Sequence, residues 1–81
     1  MREAGTVHEL IEYMARNLVD HPEDVRVSET SGAHAVVYEL RVRASDKGWV
    51  IGREGRVANA MRTLLRVAAA RKRRRAVLEI V

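Results

Sequence analysis

Two glycines enclose two charged residues in the middle of the chain: Gly52, Arg53, Glu54 and Gly55, followed at once by Arg56. Glycine permits positive φ angles and lets another backbone approach closely. A long helical pattern starts directly after this run, and it would place its first amides and the positive end of the helix dipole beside the loop. These residue types at this spacing predict a binding site for a phosphate backbone.

Enzyme chemistry is not supported by these residues. The loop lacks the glycine spacing and the Lys-Ser/Thr pair of a nucleotide-hydrolysing loop. The chain has no cysteine, which excludes thiolate nucleophiles and thiolate zinc sites, and His8, His21 and His34 share no spacing typical of a metal site. We therefore predict a protein without catalytic residues, metal or cofactor.

The two halves of the chain differ in charge. Residues 1–40 carry three arginines and eight acids, a net charge of −5, whereas residues 41–81 carry twelve Lys or Arg and three acids, a net charge of +9. Such a distribution favours a polyanion, above all nucleic acid, facing the second half. An Arg-rich helix that only faces water would give the same distribution of charge. The glycine loop is needed to favour a nucleic-acid-binding surface over such a solvated helix.

Length and composition favour one domain, residues 1–81, built from aliphatic residues, with Trp49, Tyr13 and Tyr38 as the only aromatics. No run approaches the roughly 20 apolar residues of a membrane helix, and the first residues do not resemble a signal peptide. We expect no membrane contact, no small-molecule substrate and a cytoplasmic location.

The first forty residues read as a helix followed by two strands. Thr6 and Glu9 have the spacing of a capping box, and a helical stripe follows until Pro22 prevents its continuation. Val25 and Val27 indicate a first strand, and Ser31-Gly32 indicates a turn. The next strand alternates, so one face takes Val36, Tyr38, Leu40 and Val42 and the other takes Val37, Glu39, Arg41 and Arg43.

The second half reads as a short helix, the glycine loop, a long helix and a last strand. Ser45 or Asp46 can cap the short helix, which reaches Ile51. The long helix is predicted from Arg56 to about Arg71, with a buried stripe of Val57, Met61, Leu64, Leu65 and Ala68. Ala76, Leu78 and Ile80 alternate in the last strand. The fold class is α+β, a three-stranded sheet with three helices on one face, and the strand order stays open.

The loop and its surroundings resemble a known family. Val50-Ile51-Gly52-Arg53-Glu54-Gly55-Arg56, followed by a helix, resembles the KH-domain signature Val-Ile-Gly-x-x-Gly. The order helix-strand-strand-helix-helix-strand resembles the type II version, and the length resembles the small stand-alone bacterial KH proteins of the KhpA type. The likeness covers nearly the whole chain. One departure is Glu54, an acid where phosphate is expected; it would point to solvent or lie at the start of the next helix.

The resemblance implies binding of about four nucleotides of single-stranded RNA in a groove beside the GXXG loop. Backbone amides of Arg53, Glu54 and Gly55 would approach the phosphates, with charge from Arg53 and Arg56. The floor would be apolar, and the opposite wall would be a strand. The RNA-binding residues expected on this basis are Gly52, Arg53, Glu54, Gly55, Arg56, Lys47, Val50, Ile51, Asn59, Leu40, Arg41 and Val42.

Several residues allow two interpretations. Val50, Ile51, Val57 and Leu40 belong either to the core or to a partly exposed floor, and Trp49 is expected to pack as a cap on the core. The basic run 71–75 is either a second phosphate contact or a separate surface, because about 15 helical residues put it over 20 Å from the loop.

Two functions are compatible with these observations. The resemblance implies that the chain binds single-stranded RNA as an RNA chaperone or post-transcriptional regulator, as a homodimer or as a heterodimer with a larger KH-containing protein. Val37 with Val77 or Val81 would supply its dimer contacts. The rival is a protein-interaction or ribosome-associated module whose glycine loop is only a structural turn.

Overall fold

The protein is described here by a computed structural model that covers residues 6–71 and 73–81. Its elements follow the predicted order, with bounds α1 (Val7–Leu18), β1 (Arg26–Ser31), β2 (Ala35–Arg41), α2 (Lys47–Ile51), α3 (Arg56–Ala70) and β3 (Arg75–Ile80). Short 3-10 turns precede β1, α2 and α3. Lys72, part of the predicted basic run, lies outside the described residues. No helix in the described ranges is long and apolar enough to cross a membrane.

The start of α1 has the predicted capping box. The Thr6 hydroxyl accepts from the Glu9 amide at 3.2 Å, and the Glu9 carboxylate accepts from the Thr6 amide at 2.9 Å. Two amides that a helix start leaves unpaired are thereby satisfied. The helix ends at Leu18, before Pro22, whose ring is incompatible with a helix interior.

The sheet has the order β1-β2-β3, which the sequence left open. The two strands of the hairpin, β1 and β2, pair antiparallel, and Gly32 closes their turn by donating to the Ala35 carbonyl at 2.7 Å. β2 and β3 pair parallel, so the segment between them crosses over the sheet and carries α2, the glycine loop and α3. The first strand is longer than predicted, because Ser31 still pairs, opposite Val36.

The core lies between one face of the sheet and the helices. The predicted inward residues of β2 are buried, and burial raises the pKa of the Tyr38 phenol, helped by Glu29 and opposed by Arg74. Aliphatic side chains from every long element fill the rest. The core cluster comprises Val7, Ile11, Ala15, Val25, Val36, Tyr38, Leu40, Val42, Val50, Met61, Leu65 and Leu78.

The buried stripe of α3 is rotated from the prediction. Ala58, Met61, Leu65 and Ala69 are the buried residues, whereas Leu64 is 52% exposed, so its assignment to the core was wrong. Successive helical residues turn by about 100°, which puts Leu64 at the border of the stripe, where α3 faces α1 instead of the sheet.

The expected cap of α2 was also wrong. Asp46 occupies the N-cap position without a side-chain capping hydrogen bond. Its carboxylate, 1% exposed, instead accepts from the backbone amide and ring Nδ1 of His21, at 3.0 and 3.1 Å. Asp46 therefore fastens the segment after α1 to the start of α2.

The stabilisation that the contact between Asp46 and His21 gives to the fold depends on pH. Burial by itself would raise the pKa of Asp46, but the hydrogen bonds from the His21 ring and from the amides of His21 and Asp20 outweigh it and lower that pKa below the ordinary 3.8. The unfolded chain then binds the proton more readily, so the stabilisation is present above about pH 4 and is lost as the pH falls through the folded pKa.

We predict that Asp46→Asn lowers the melting temperature at neutral pH by roughly 5 °C or more, because a buried hydrogen-bond network loses its charge. The difference from the wild-type chain should shrink as the pH falls from 5 to 3. Circular dichroism melts over this range measure both effects. Asp20→Asn, which removes an exposed carboxylate and leaves the backbone amide, serves as the matched control. A constant difference between Asp46→Asn and wild type at all pH values would contradict the argument.

Candidate nucleic-acid interface

The glycine loop turns the chain sharply between α2 and α3. α2 ends at Ile51; Gly52 has φ 77° and ψ 173°, and Gly55, the N-cap of α3, has φ 75°. The amides of Gly55 and Arg56 donate to the carbonyls of Gly52 and Arg53. Positive φ at both glycines is what the sequence pattern requires.

The two glycines are needed for different reasons. A Cβ atom on Gly52 would collide with the Val57 side chain and lie 2.8 Å from its backbone nitrogen. A Cβ on Gly55 would meet only the Asn59 amide nitrogen, at 3.8 Å. Gly52 therefore lets α2 and α3 come together, whereas Gly55 supplies a left-handed backbone next to open space.

The charged side chains of the loop face water. Glu54 is itself left-handed at φ 57°, and its carboxylate lies 3.4 Å from the guanidinium of Arg56, with both side chains more than 70% exposed. Of the two placements predicted for Glu54, the one with its side chain in solvent is correct. Arg53 is exposed as well, so two arginines and one acid surround the loop.

The start of α3 is open to an anion. Its N-cap is Gly55, so no side chain caps the first amides of this 15-residue helix. The Arg56 amide donates to the Arg53 carbonyl, and the next amides, those of Val57 and Ala58, point toward the helix end together with the positive end of its dipole. A phosphate at the loop would find the donors that a Ser or Asp cap would otherwise occupy.

The predicted strand wall at residues 40–42 is corrected by the sheet order. β2 is the central strand, paired on both sides, so the backbone of Leu40 is used within the sheet and cannot read bases; Val42 lies just beyond the strand. Leu40 and Val42 are buried at 0% and 5% exposure. Arg41 alternates with Leu40 and therefore points to the outer face of the sheet, away from the helices.

The open strand beside α3 is β3. The amide of Arg75 donates to the carbonyl of His34, just before β2, and the amide of Val81 donates to the carbonyl of Leu40 in β2. Because backbone direction alternates along a strand, the amides and carbonyls of residues 76, 78 and 80 point the other way, to the free edge. We call this row of backbone groups the β3 edge.

Arg62 connects α3 to the β3 edge. Its Nη2 donates to the Leu78 carbonyl at 3.3 Å. Asn59 and Arg66 lie on the same side of α3 by helical spacing, one turn before and one turn after Arg62. A basic path therefore runs from the loop along α3 beside the β3 edge. The sequence alone does not distinguish Arg62 and Arg66 from arginines on a helix face that only meets water, because only the strand order reveals the neighbouring open edge.

The remaining predicted residues divide between the surface and the core. Val50 is fully buried, so the prediction that its side chain forms an accessible floor is wrong, whereas Ile51 is 40% exposed at the loop. Lys47 is exposed at the start of α2. Trp49 is 56% exposed, which overturns its expected packing on the core. Asn59 lies next to Gly55.

A second surface begins beside the loop, between α1 and α3. This apolar cleft, of about 460 Å³, is lined mainly by Tyr13, Met14, Leu18, Val57, Ala60, Met61 and Leu64. Tyr13 and Leu64 are more than half exposed, as is Val67 one helical turn beyond Leu64. The path along α3 is basic on the side of β3, and this surface is apolar on the side of α1.

Comparison with known proteins decides the family. A family model described as KhpA/KhpB, KH domain, matches residues 8–80. The chain belongs to this KH-domain family. The RNA-binding protein KhpA of Borreliella burgdorferi is 46% identical over 81 residues, covering 100% of this chain and 99% of its own.

Other relatives carry the same name. The RNA-binding protein KhpA of Clostridium perfringens is 45% identical over 73 residues, 90% of this chain and 97% of its own. That of Chlamydia pneumoniae is 48% identical over 73 residues, 90% of this chain and 94% of its own. No solved structure matches the chain. The α+β arrangement with its mixed three-stranded sheet is that of a type II KH fold.

We predict that Gly52→Ala destabilises the fold by at least about 2 kcal/mol, because backbone strain adds to a collision with Val57. Gly55→Ala should cost only about 1 kcal/mol, the strain of a left-handed alanine alone. Urea unfolding followed by circular dichroism compares the two. Equal losses would contradict the assignment of separate roles to the glycines.

Proposed function

We propose that this protein binds single-stranded RNA of about four nucleotides, from the glycine loop along α3 beside the β3 edge. The observation that carries the proposal is the uncapped N-terminus of α3 behind the left-handed Gly55, flanked by Arg53 and Arg56. Phosphates would bind at this helix start, and bases would lie toward the β3 edge, where the amides of residues 76, 78 and 80 and the carbonyls of residues 76 and 80 can hydrogen-bond to base edges; the Leu78 carbonyl already accepts from Arg62.

The chemistry of the path fits RNA better than a protein surface. Arg62 and Arg66 follow the loop at one-turn spacing, which provides positive charge along a strand of phosphates. Ile51 supplies an apolar contact at the loop, and the exposed Trp49 on α2 gives an indole on which a base can stack. Among the described residues, no group of three His, Asp or Glu could hold a metal.

The names of the relatives support the same function. The proteins from Borreliella burgdorferi, Clostridium perfringens and Chlamydia pneumoniae are all named as RNA-binding proteins, and none as an enzyme. Within the proposal the protein acts in the cytoplasm as an RNA chaperone or post-transcriptional regulator. A groove with so few aromatic residues binds one short site weakly, because stacking worth about 1–3 kcal/mol per base is mostly missing.

We predict that the double variant Arg53→Asp with Glu54→Asp weakens binding of a tetranucleotide RNA at least about tenfold, since it reverses the charge at the phosphate contact. Aspartate tolerates the left-handed backbone at position 54. Fluorescence anisotropy at fixed salt measures the affinity, and circular dichroism verifies the fold. Arg16→Asp on α1, where Arg16 pairs with Glu12, makes the same change in net charge outside the loop and is the control.

The rival function makes the opposite forecast. If the glycine loop is only a turn in a protein-interaction or ribosome-associated module, the folded loop variant and Arg16→Asp will bind RNA equally. That result would remove the loop from the binding site. A loss confined to the loop variant supports the RNA groove.

We further propose that the chain forms a homodimer, or a heterodimer with a larger KH-containing protein, through the apolar cleft. The family description names KhpB beside KhpA, which supports a KH-containing partner. The outer sheet face, where the sequence suggested Val37 and Val77 as dimer contacts, is a poorer candidate because Glu39 lies directly beside Glu79. Leu64, Val67 and Tyr13 expose more apolar surface.

We predict that Leu64→Glu converts a dimer to a monomer in size-exclusion chromatography with light scattering, because a charge enters the apolar contact. Glutamate is a good helix former, and Leu64 is half exposed, so the fold should persist. Val77→Glu on the outer sheet face is the matched control and should leave the dimer intact. A wild-type monomer, or dissociation by Val77→Glu alone, would contradict the assignment.

A further inference from the structure

Three consecutive arginines stand where the chain leaves α3 and enters β3. Arg73, Arg74 and Arg75, which we call the basic end, are all exposed. No carboxylate of the described residues lies within 4.0 Å of any of them. Arg71 is separate, because its helical position puts it on the side of α3 that faces α1. The basic end is thus a concentration of positive charge without a direct ion pair among the described residues, although Glu29 lines the same cavity as Arg74 and Arg75.

The backbone at the basic end is held in place. Arg74 donates through Nη2 to the Gly32 carbonyl in the hairpin at 2.8 Å, and the Arg75 amide donates to His34. The amides of Arg73 and Arg74 close the end of α3 by donating to Ala70 and Ala69. The turn is therefore fixed to both the helix and the hairpin.

Arg73 is an unusual residue for its position. It has φ 57° just beyond α3, where glycine or asparagine is the residue of least strain. The negative end of the α3 dipole favours a cation there, but a lysine or arginine one turn earlier would serve that purpose without strain. An arginine in this conformation suggests a role for its guanidinium outside the fold.

Arg73 lies at the far end of the proposed RNA path, seven residues after Arg66. Arg75 begins the edge strand β3 with its side chain on the outer face of the sheet, and the Arg74 guanidinium is turned toward the hairpin. α3 has 15 residues, so its two ends are about 21 Å apart. β3 runs parallel to β2, which places residue 80 near the glycine loop and residue 75 at the basic end. Arg62 and Arg66 occupy the interval, and a stacked strand at about 3.4 Å per nucleotide would cover it with roughly six nucleotides.

We propose that the basic end is a second phosphate-binding surface, which holds the same RNA strand after it leaves the groove at the glycine loop. This inference rests on the proposed RNA-binding function. It extends the ligand from about four nucleotides to a single strand of roughly six to ten. Affinity then depends on RNA length within one protein chain.

The test compares a tetranucleotide with a dodecanucleotide of the same composition by fluorescence anisotropy. The wild-type protein should bind the longer RNA at least about tenfold more tightly than expected from the roughly ninefold gain that the overlapping tetranucleotide registers of a dodecamer provide by themselves. The double variant Arg73→Gly with Arg75→Gln should lose most of that additional gain and bind the tetranucleotide within about twofold of wild type. For the long RNA, the slope of log binding constant against log salt concentration should become shallower by about 1.4, which is about 0.7 for each lost phosphate contact.

Three controls keep the result specific. Arg16→Gln with Arg26→Gln removes the same charge elsewhere and should keep the gain with length. Arg73→Lys keeps the charge and should bind as wild type does. Arg73→Gly alone should raise the melting temperature, because glycine relieves the left-handed strain, while it weakens binding of the long RNA.

The outcomes separate the second surface from the groove. In the wild-type protein, a gain with length no larger than the registers provide overturns the inference, as does an additional gain that persists in Arg73→Gly/Arg75→Gln, which would point to two grooves of a dimer sharing one RNA. If Arg73→Gly/Arg75→Gln and Arg16→Gln/Arg26→Gln lose the same part of the gain with length, the effect is one of net charge, and the inference is overturned as well. The loop variant Arg53→Asp/Glu54→Asp should lose tetranucleotide binding; if it does not, the proposed groove fails, whatever the basic end does.

Discussion

The parallel pairing of β2 with β3 is the constraint on which the rest of the structure depends. Two parallel neighbours cannot be joined by a hairpin, so the chain must cross the helical face before β3 begins. The crossover holds α2, the glycine loop and α3, and α3 must run back along β3. The helix start with its uncapped amides therefore lies at one end of the sheet, and the open β3 edge runs beside the helix. The proposed RNA path is a consequence of this connection.

The crossover needs a sharp turn, and Gly52 makes it possible. Its positive φ and the contact with Val57 leave no room for a side chain, so α2 and α3 meet at close range. Asp46 holds the other end of the short helix α2 through its buried hydrogen bonds to His21. A five-residue helix has little stability of its own. Its position, and that of the loop, therefore comes from these two fixed ends and from Val50 in the core.

The sequence predicted the elements and the loop but not their lateral order. Capping at Thr6, alternation in β2 and the glycine pattern are local signals, and each was correct. The wall at Leu40 and Arg41 was misplaced because alternation shows which face a residue occupies, not whether its strand is central or at an edge. Asp46 was misassigned for a similar reason: a carboxylate before a helix has the features of a cap, and its distant partner, His21, leaves no local sign. Leu64 and Trp49 were expected to pack in or on the core but are more than half exposed. The sequence pattern does not tell whether an apolar residue next to a buried stripe is itself buried.

Two residues other than glycine have positive φ in the described part of the chain, Glu54 and Arg73, and they stand at opposite ends of α3. A left-handed conformation costs a residue with a Cβ about 1–2 kcal/mol, and this domain bears that cost twice. Folding alone gives no reason for it, since glycine would fit both positions with less strain. Both residues are charged and exposed, and each lies where the proposed RNA strand would touch the ends of the helix. Strain of this kind is concentrated at functional sites in proteins. At Arg73 the strained backbone and the positive charge therefore support the same contact point, whereas at Glu54 the strain belongs to the turn of the glycine loop and the carboxylate faces water.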